Sequence, residues 1–232
     1  MARFDPVAER YDAFCQTPLG AFVDAVERAL VWSVLDPRPG EAIADLGCGT
    51  GAYTLALLEA RCRVTGVDES AAMLARARAK LGDRAAATCL QADLAALPLP
   101  TAAFDAALLQ VTLEFVADPA AVVRESLRIL RPGGRLVVGL IHGGGAWARH
   151  YRARAAAEPG SVYRGARFFT REELAALVGM QPAAVAAGLY VAPQEFHDPD
   201  AALELERQRR ASWPVAAAGF VAVRFDSPKR PA

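Results

Sequence analysis

Asp45-Leu-Gly-Cys-Gly-Thr-Gly51 sets one acid two positions before three alternating glycines. Glycine has no Cβ and tolerates positive φ, so a ligand can lie against bare backbone there. An apolar run beginning at Ile43 precedes the turn, and the stretch 52–60 after it reads as a helix. Strand, glycine turn and helix together suit a nucleotide-like ligand. The acid is the unusual part. A carboxylate at the mouth of such a turn repels phosphate and suits a ligand carrying positive charge. Two further acids close later apolar runs, Asp68 after Val67 and Asp93 after Gln91-Ala92. Asp68 is placed to accept from both hydroxyls of a ribose, and Ser70 can cap the helix that follows. Asp93 can accept from an adenine amino group, with the Leu94 backbone completing the base-edge contact. Met73 reads as a helix-face core residue within reach of the same base.

The glycines alone do not choose between ligands. Gly47, Gly49 and Ala52 also fit the dinucleotide fingerprint, with Asp68 where that fold holds a ribose. Asp45 argues against a pyrophosphate beside the turn. A third reading is a tight strand-to-helix turn that holds no ligand, although one turn rarely needs three glycines and a flanking acid.

The elements that must position these residues follow from periodicity. Phe22, Val26, Leu30 and Val34 share one face of a helix over 18–35, which Pro37, Pro39 and Gly40 end. Strands are predicted over 43–46, 63–67, 86–91, 106–110 and 135–141, with helices over 52–60, 70–81 and 119–130 between them. That alternation predicts an α/β fold with a parallel, doubly wound sheet. Two more strands, 183–191 and 219–225, flank an Arg- and Glu-rich helix over 201–211, and the tail 226–232 is expected to fray. Residues 142–170 read as an irregular stretch that opens on Gly143-Gly144-Gly145 and mixes aromatic side chains with arginines.

Helix 119–130 leads through Arg131-Pro-Gly-Gly134, read as a helix stop and sharp reversal, into the fifth strand. With the glycine turn, Asp68 and Asp93, this resembles the class I S-adenosylmethionine-dependent methyltransferases, in particular the branch containing ubiquinone and menaquinone biosynthesis enzymes and many small-molecule methyltransferases. The resemblance runs from about Phe4 to Ile141. It implies a Rossmann-like sheet of seven strands, mostly parallel, with an antiparallel last strand and a helical or loop cap. It implies S-adenosylmethionine as cofactor and S-adenosylhomocysteine as product. Tyr11, in Phe4-Asp5-Pro6…Tyr11-Asp12, falls where the family has a lid. Gly47, Gly49 and Gly51 become the backbone platform, Asp68 and Asp93 the ribose and adenine partners, and Gln110 the residue near the methionine moiety. Asp45, Cys48, Glu69, Met73 and Leu94 complete the expected cofactor contacts. Phe115 stands where many relatives have histidine, so a mechanism through that histidine does not transfer.

The expected domains are an N-terminal helical cap, 1–36, and a cofactor-binding α/β domain, 37–232, with a cap insertion at about 142–170. The segment 142–170, hinged at its three glycines, joins Phe4–Phe14 over the reacting methyl group. Its cations and rings point to an anionic or aromatic small-molecule acceptor, met by Arg149 or Arg167. Methyl transfer needs alignment and a dry site, and a base only where the nucleophile arrives protonated. Glu114, His142 and His150 are the candidates for that base, and no catalytic residue is assigned. Binding without transfer, and an NAD-dependent oxidoreductase, are the alternative activities.

Composition narrows the classes further. The 232 residues carry 53% apolar side chains, with 26 Lys+Arg against 26 Asp+Glu. Nothing in that balance suggests nucleic-acid or membrane-surface binding. Cys15, Cys48, Cys62 and Cys89 form no C-x-x-C pair, and His142, His150 and His197 show no ligand spacing, so no metal is expected. Without a signal-like or membrane-spanning apolar run, a cytoplasmic protein is expected, as a monomer or homodimer.

Overall fold

The structure, a computed structural model, describes residues 2–229. Residues 230–232 of the tail expected to fray lie outside the described residues.

The parallel strands run β1 (Ala42–Leu46), β2 (Arg63–Asp68), β3 (Ala87–Gln91), β4 (Phe104–Gln110) and β5 (Leu130–Ile141). Two more follow, β6 (Ala184–Gly188) and β7 (Phe220–Asp226). They form one sheet in the order β3-β2-β1-β4-β5-β7-β6, with β7 antiparallel to both β5 and β6. The seven-stranded, mostly parallel α/β sheet expected from the sequence is therefore present. The helices are α1 (Tyr11–Cys15), α2 (Pro18–Leu35), α3 (Ala52–Glu59), α4 (Ala71–Leu81), α5 (Pro119–Arg128), α6 (Ala146–Ala157), α7 (Arg171–Val178) and α8 (Pro199–Ser212).

Alternation along the strands feeds two apolar layers. Ile43 and Leu108 face a core with Phe22, Val26 and Leu30 of α2 and Trp147 of α6. Ala44, Leu46, Ala107 and Leu109 face the other, with Val122 of α5 and Leu174 of α7. Helix α2 thus belongs to a sheet layer. Its apolar stripe is buried, and Arg135 of β5 ties its end through Leu35 O, Asp36 O and the Glu41 carboxylate. This narrows the expected N-terminal cap, because only residues 2–17 lie outside that layer.

Two sequence expectations change. The stretch 142–170 contains a regular helix, α6, with Trp147, Ala148 and Tyr151 buried on one face. Its arginines and flanking glycines mask that short stripe. The proposed hinge is also tightly packed. A Cβ on Gly143 would stand 2.6 Å from Phe168 O, and one on Gly145 2.2 Å from Ala218 O. The fifth strand begins at Leu130 rather than at Arg135, and Arg131-Pro-Gly-Gly134 interrupts its ladder. Phe104 pairs with Leu130 and Ala106 with Arg135, so the turn is an excursion within the strand and not a chain reversal.

Candidate active site

The carboxyl ends of β1, β2 and β4 converge on the glycine turn. Gly47 N and Cys48 N both donate to Val67 O, at 2.7 and 3.0 Å, which locks the turn to β2. Gly47 (φ +78°) has no room for a side chain, since a Cβ would lie 2.5 Å from Thr112 Oγ1. Gly49 (φ +53°) is different, because a Cβ there would meet nothing within 4 Å. Its backbone is bare toward open space. Asp68 Oδ2 accepts from Gly49 N at 2.9 Å, and Oδ1 accepts from Ser70 N at 2.8 Å. The Asp68 carboxyl is nevertheless raised above the usual carboxylate range, because burial outweighs these two bonds.

Two cavities meet at this turn. The first, about 460 Å3, is lined by Tyr11, Gly47, Gly49, Asp68, Glu69, Met73, Asp93, Leu94 and Gln110. The second, about 580 Å3, shares Tyr11, Gly47, Gly49, Gln110 and Val111 with the first. It adds Asp45, Cys48, Glu27 and an aromatic wall of Tyr53, Trp147, Tyr151 and Tyr163. Nine of the twelve residues expected at the cofactor therefore border the first cavity. Asp45 and Cys48 border the second alone. Gly51 borders neither. It packs α3 onto α4, where a Cβ would stand 3.1 Å from Ala77 Cβ.

Asp45 is buried and accepts from Thr54 Oγ1 at 2.5 Å. Burial pushes its carboxyl up to about 6, with the nearby Asp68 charge adding to the rise. Asp93 Oδ1 accepts from Ala95 N at 2.8 Å, which shapes the turn after β3. Val111, at the end of β4, holds φ +48°. A β-branched residue rarely adopts that conformation, and such strain concentrates at functional sites.

The N-terminal segment is fastened over this edge. Ser70 Oγ donates to Asp5 Oδ1 at 2.5 Å, and Thr50 Oγ1 donates to Asp12 Oδ1 at 2.6 Å. Lys80 Nζ pairs with Asp12 Oδ2 at 3.1 Å. The Phe4 ring meets Phe115 edge-on at 4.9 Å, and the Arg3 guanidinium donates to Val162 O and Arg164 O. Phe115 and Thr112 at the first cavity were not anticipated from sequence. Phe115, which stands where many relatives have histidine, closes a wall of the first cavity here.

Other candidates fall elsewhere. Arg149 is bonded to Gly144 O, and Arg167 lies over the Phe169 ring at 4.6 Å. Neither borders either of these two cavities, so the expectation that one of them meets the acceptor is corrected. Of the three base candidates, only His150 borders a cavity, and it borders the second. Glu114 is buried and accepts from Ile141 N at 2.8 Å. His142 is buried, and burial lowers its pKa.

A methyltransferase-domain family model matches residues 44–138, which contain the glycine turn, Asp68, Asp93 and β4. A solved Thermotoga maritima structure, described as an S-adenosylmethionine-dependent methyltransferase and possible histamine N-methyltransferase, is 25% identical. The match covers 98% of each chain with a TM-score of 0.76. This chain belongs to the class I S-adenosylmethionine-dependent methyltransferases. An uncharacterised Mycobacterium bovis protein is 35% identical to this methyltransferase over 223 residues, 93% of this chain and 70% of the relative. The demethylmenaquinone methyltransferase of Corynebacterium kroppenstedtii is 37% identical over 135 residues, 58% of this chain and 56% of that enzyme. The methyltransferase spans from 33% to 70% of the length of such curated relatives. The family's cofactor is S-adenosylmethionine, and the first cavity fits such a group. Among the described residues, its lining carries Asp68, Glu69, Asp93 and Asp118 against one cation, Arg3. That balance suits a cationic ligand without phosphate and opposes a pyrophosphate. No described helix is long and apolar enough to cross a membrane.

Proposed function

We propose that this methyltransferase methylates a small aromatic molecule, binding the cofactor's adenosine in the first cavity and the acceptor in the second. The observation that carries the reading is the shared wall. Gly47, Gly49, Gln110 and Val111 border both cavities, so two ligands would meet at the glycine turn. S-adenosylmethionine, when bound, supplies an electrophilic methyl group on a sulfonium. The chain's own residues then hold, align and dry the reactants.

In this reading Asp68 accepts from the ribose hydroxyls, while Asp93 and the Leu94 backbone meet the adenine edge. Glu69 and Met73 flank the base, and the Gly49 backbone supports the ligand. Gln110 and Tyr11 stand at the junction, and Asp45 and Cys48 border the methionine end. The cap is made of residues 2–17 together with parts of 142–170, and the Asp12–Lys80 pair fastens it near the glycine turn. Tyr151 stacks on Tyr163 with centroids 4.0 Å apart, which gives the second cavity a flat face suited to a ring. Support for a small-molecule acceptor also comes from the menaquinone-type relative, although this chain spans 56% of its length. The balanced charge and four free thiols agree with a cytoplasmic protein acting without nucleic acid, as monomer or homodimer.

Calorimetry with S-adenosylhomocysteine and NAD tests the cofactor half of the reading. Micromolar-range binding of the first and none of the second is expected. NAD binding tighter than S-adenosylhomocysteine would overturn it. Transfer of labelled methyl to a panel of small aromatic molecules tests the other half.

A further inference from the structure

The second cavity contains a carboxylate that the cofactor reading does not use. Glu27, on α2, borders this cavity and not the one holding Asp68 and Asp93. Its Oε2 accepts from Gln110 Nε2 at 3.0 Å. Among the described residues its Oε1 accepts no hydrogen bond, and no cation pairs with it. The arginines near it are engaged or at the rim. Arg28 is held by Asp24 at 3.0 Å, Arg154 by Glu158 at 3.0 Å, and Arg10 is exposed. Two further polar atoms of the lining, Tyr53 Oη and Gln110 Oε1, are buried without a hydrogen-bond partner. Those two atoms are closed off from the open space, which leaves Glu27 Oε1 as the acceptor without a donor beside the aromatic wall of Tyr151 and Tyr163.

From this arrangement we infer that the acceptor is a planar molecule bearing a basic amine, whose ammonium is received by Glu27 beside the aromatic wall. The inference rests on the methyl-transfer reading above and adds the substrate class to it. An anionic acceptor would meet the uncompensated Glu27 carboxylate with no free cation among the buried groups of the lining. A purely apolar ring would leave Glu27 Oε1 unsatisfied. The uncompensated state of Glu27 also shows in its carboxyl, which burial and the like charges of Asp24 and Glu114 raise to about 8. The chemistry balances. The ammonium passes one proton to the Glu27 carboxylate, which frees the nitrogen lone pair. That pair forms the N–C bond to the methyl group while the C–S pair returns to sulfur, leaving a neutral thioether and a methylated ammonium.

Three probes that share one ring test the inference by calorimetry, each with saturating S-adenosylhomocysteine: tryptamine, 3-ethylindole and indole-3-propionate. Tryptamine should bind about ten-fold or more tighter than the neutral and anionic probes. Glu27→Gln should bring the three within about two-fold of one another while S-adenosylhomocysteine affinity stays within about three-fold. Failure of tryptamine to bind, or parity among the probes in the unaltered protein, overturns the inference without needing a folded variant. A loss of S-adenosylhomocysteine affinity of about ten-fold or more in a folded Glu27→Gln also overturns it, by assigning Glu27 to the cofactor's own ammonium. If S-adenosylhomocysteine does not bind the unaltered protein, the methyltransferase reading fails. The probe ranking, measured without it, then still decides the amine preference.

Discussion

The two cavities share a wall yet are built in opposite ways. The first is organised by backbone: a glycine turn, two amides donating to Val67 O, and acids at consecutive strand ends. The second is organised by side chains brought from distant segments, with Glu27 from α2, Tyr53 from α3, Gln110 from β4 and Tyr151 from α6. A backbone site recognises what every family member shares. A side-chain site changes with single substitutions, which is why the proposed acceptor site is placed there.

The difference is sharpest at Gly49. Gly49→Val projects a branched side chain into the open space beside the turn and strains φ +53°. Titration should show S-adenosylhomocysteine affinity falling by more than about a hundred-fold. Normal binding in a folded variant would remove the turn from the cofactor site. Asp68→Ala comes next, with a loss of about ten- to hundred-fold and a preserved fold expected if Asp68 makes the proposed charge-assisted pair to the ribose. Tryptamine binding measured without cofactor should be unchanged by Asp68→Ala, and equal losses for both ligands would collapse the division between the cavities.

Glu114, buried against the end of β5, gives a pH signature. Burial raises its carboxyl from 4.5 to about 7. The folded chain keeps that proton up to about pH 7, while the unfolded chain releases it near 4.5. Its contribution to stability therefore falls as pH rises through that window. Glu114→Gln should flatten this slope by roughly 1–3 kcal/mol in denaturant titrations, and an unchanged slope would move the titration to another group. Lys80→Ala removes the partly buried partner of Asp12 and should speed S-adenosylhomocysteine release only about two- to five-fold in stopped-flow. The smallest effect is expected for Arg149→Ala and Arg167→Ala, which should leave probe binding and cofactor affinity within about two-fold. A large loss in either would restore those arginines to the acceptor site.

What the sequence disclosed follows the same division. The turn, Asp68 and Asp93 are local patterns, and alternation of apolar residues located every strand of the sheet. Asp45 was legible as an acid beside the turn, but its bond to Thr54 and its position on the second cavity depend on how α3 packs. Helix α6 was obscured because only Trp147, Ala148 and Tyr151 carry its buried stripe among arginines. Arg149 and Arg167 looked like acceptor contacts because charge is visible in a sequence and direction is not. Glu27 gave no signal, since a glutamate at that spacing on an amphipathic helix reads as its solvated face.

Val111 shows what such a wall demands of its backbone. Glycine would hold φ +48° without strain, whereas valine at this angle is held by neighbours, with its amide on Gly139 O at 2.8 Å. Glycine would also remove the isopropyl group that borders both cavities. The chain keeps the less comfortable residue where a smaller one would open a window between two compartments. Val111 is thus a partition: its side chain, held at an unfavourable angle by its neighbours, narrows the opening between the two compartments.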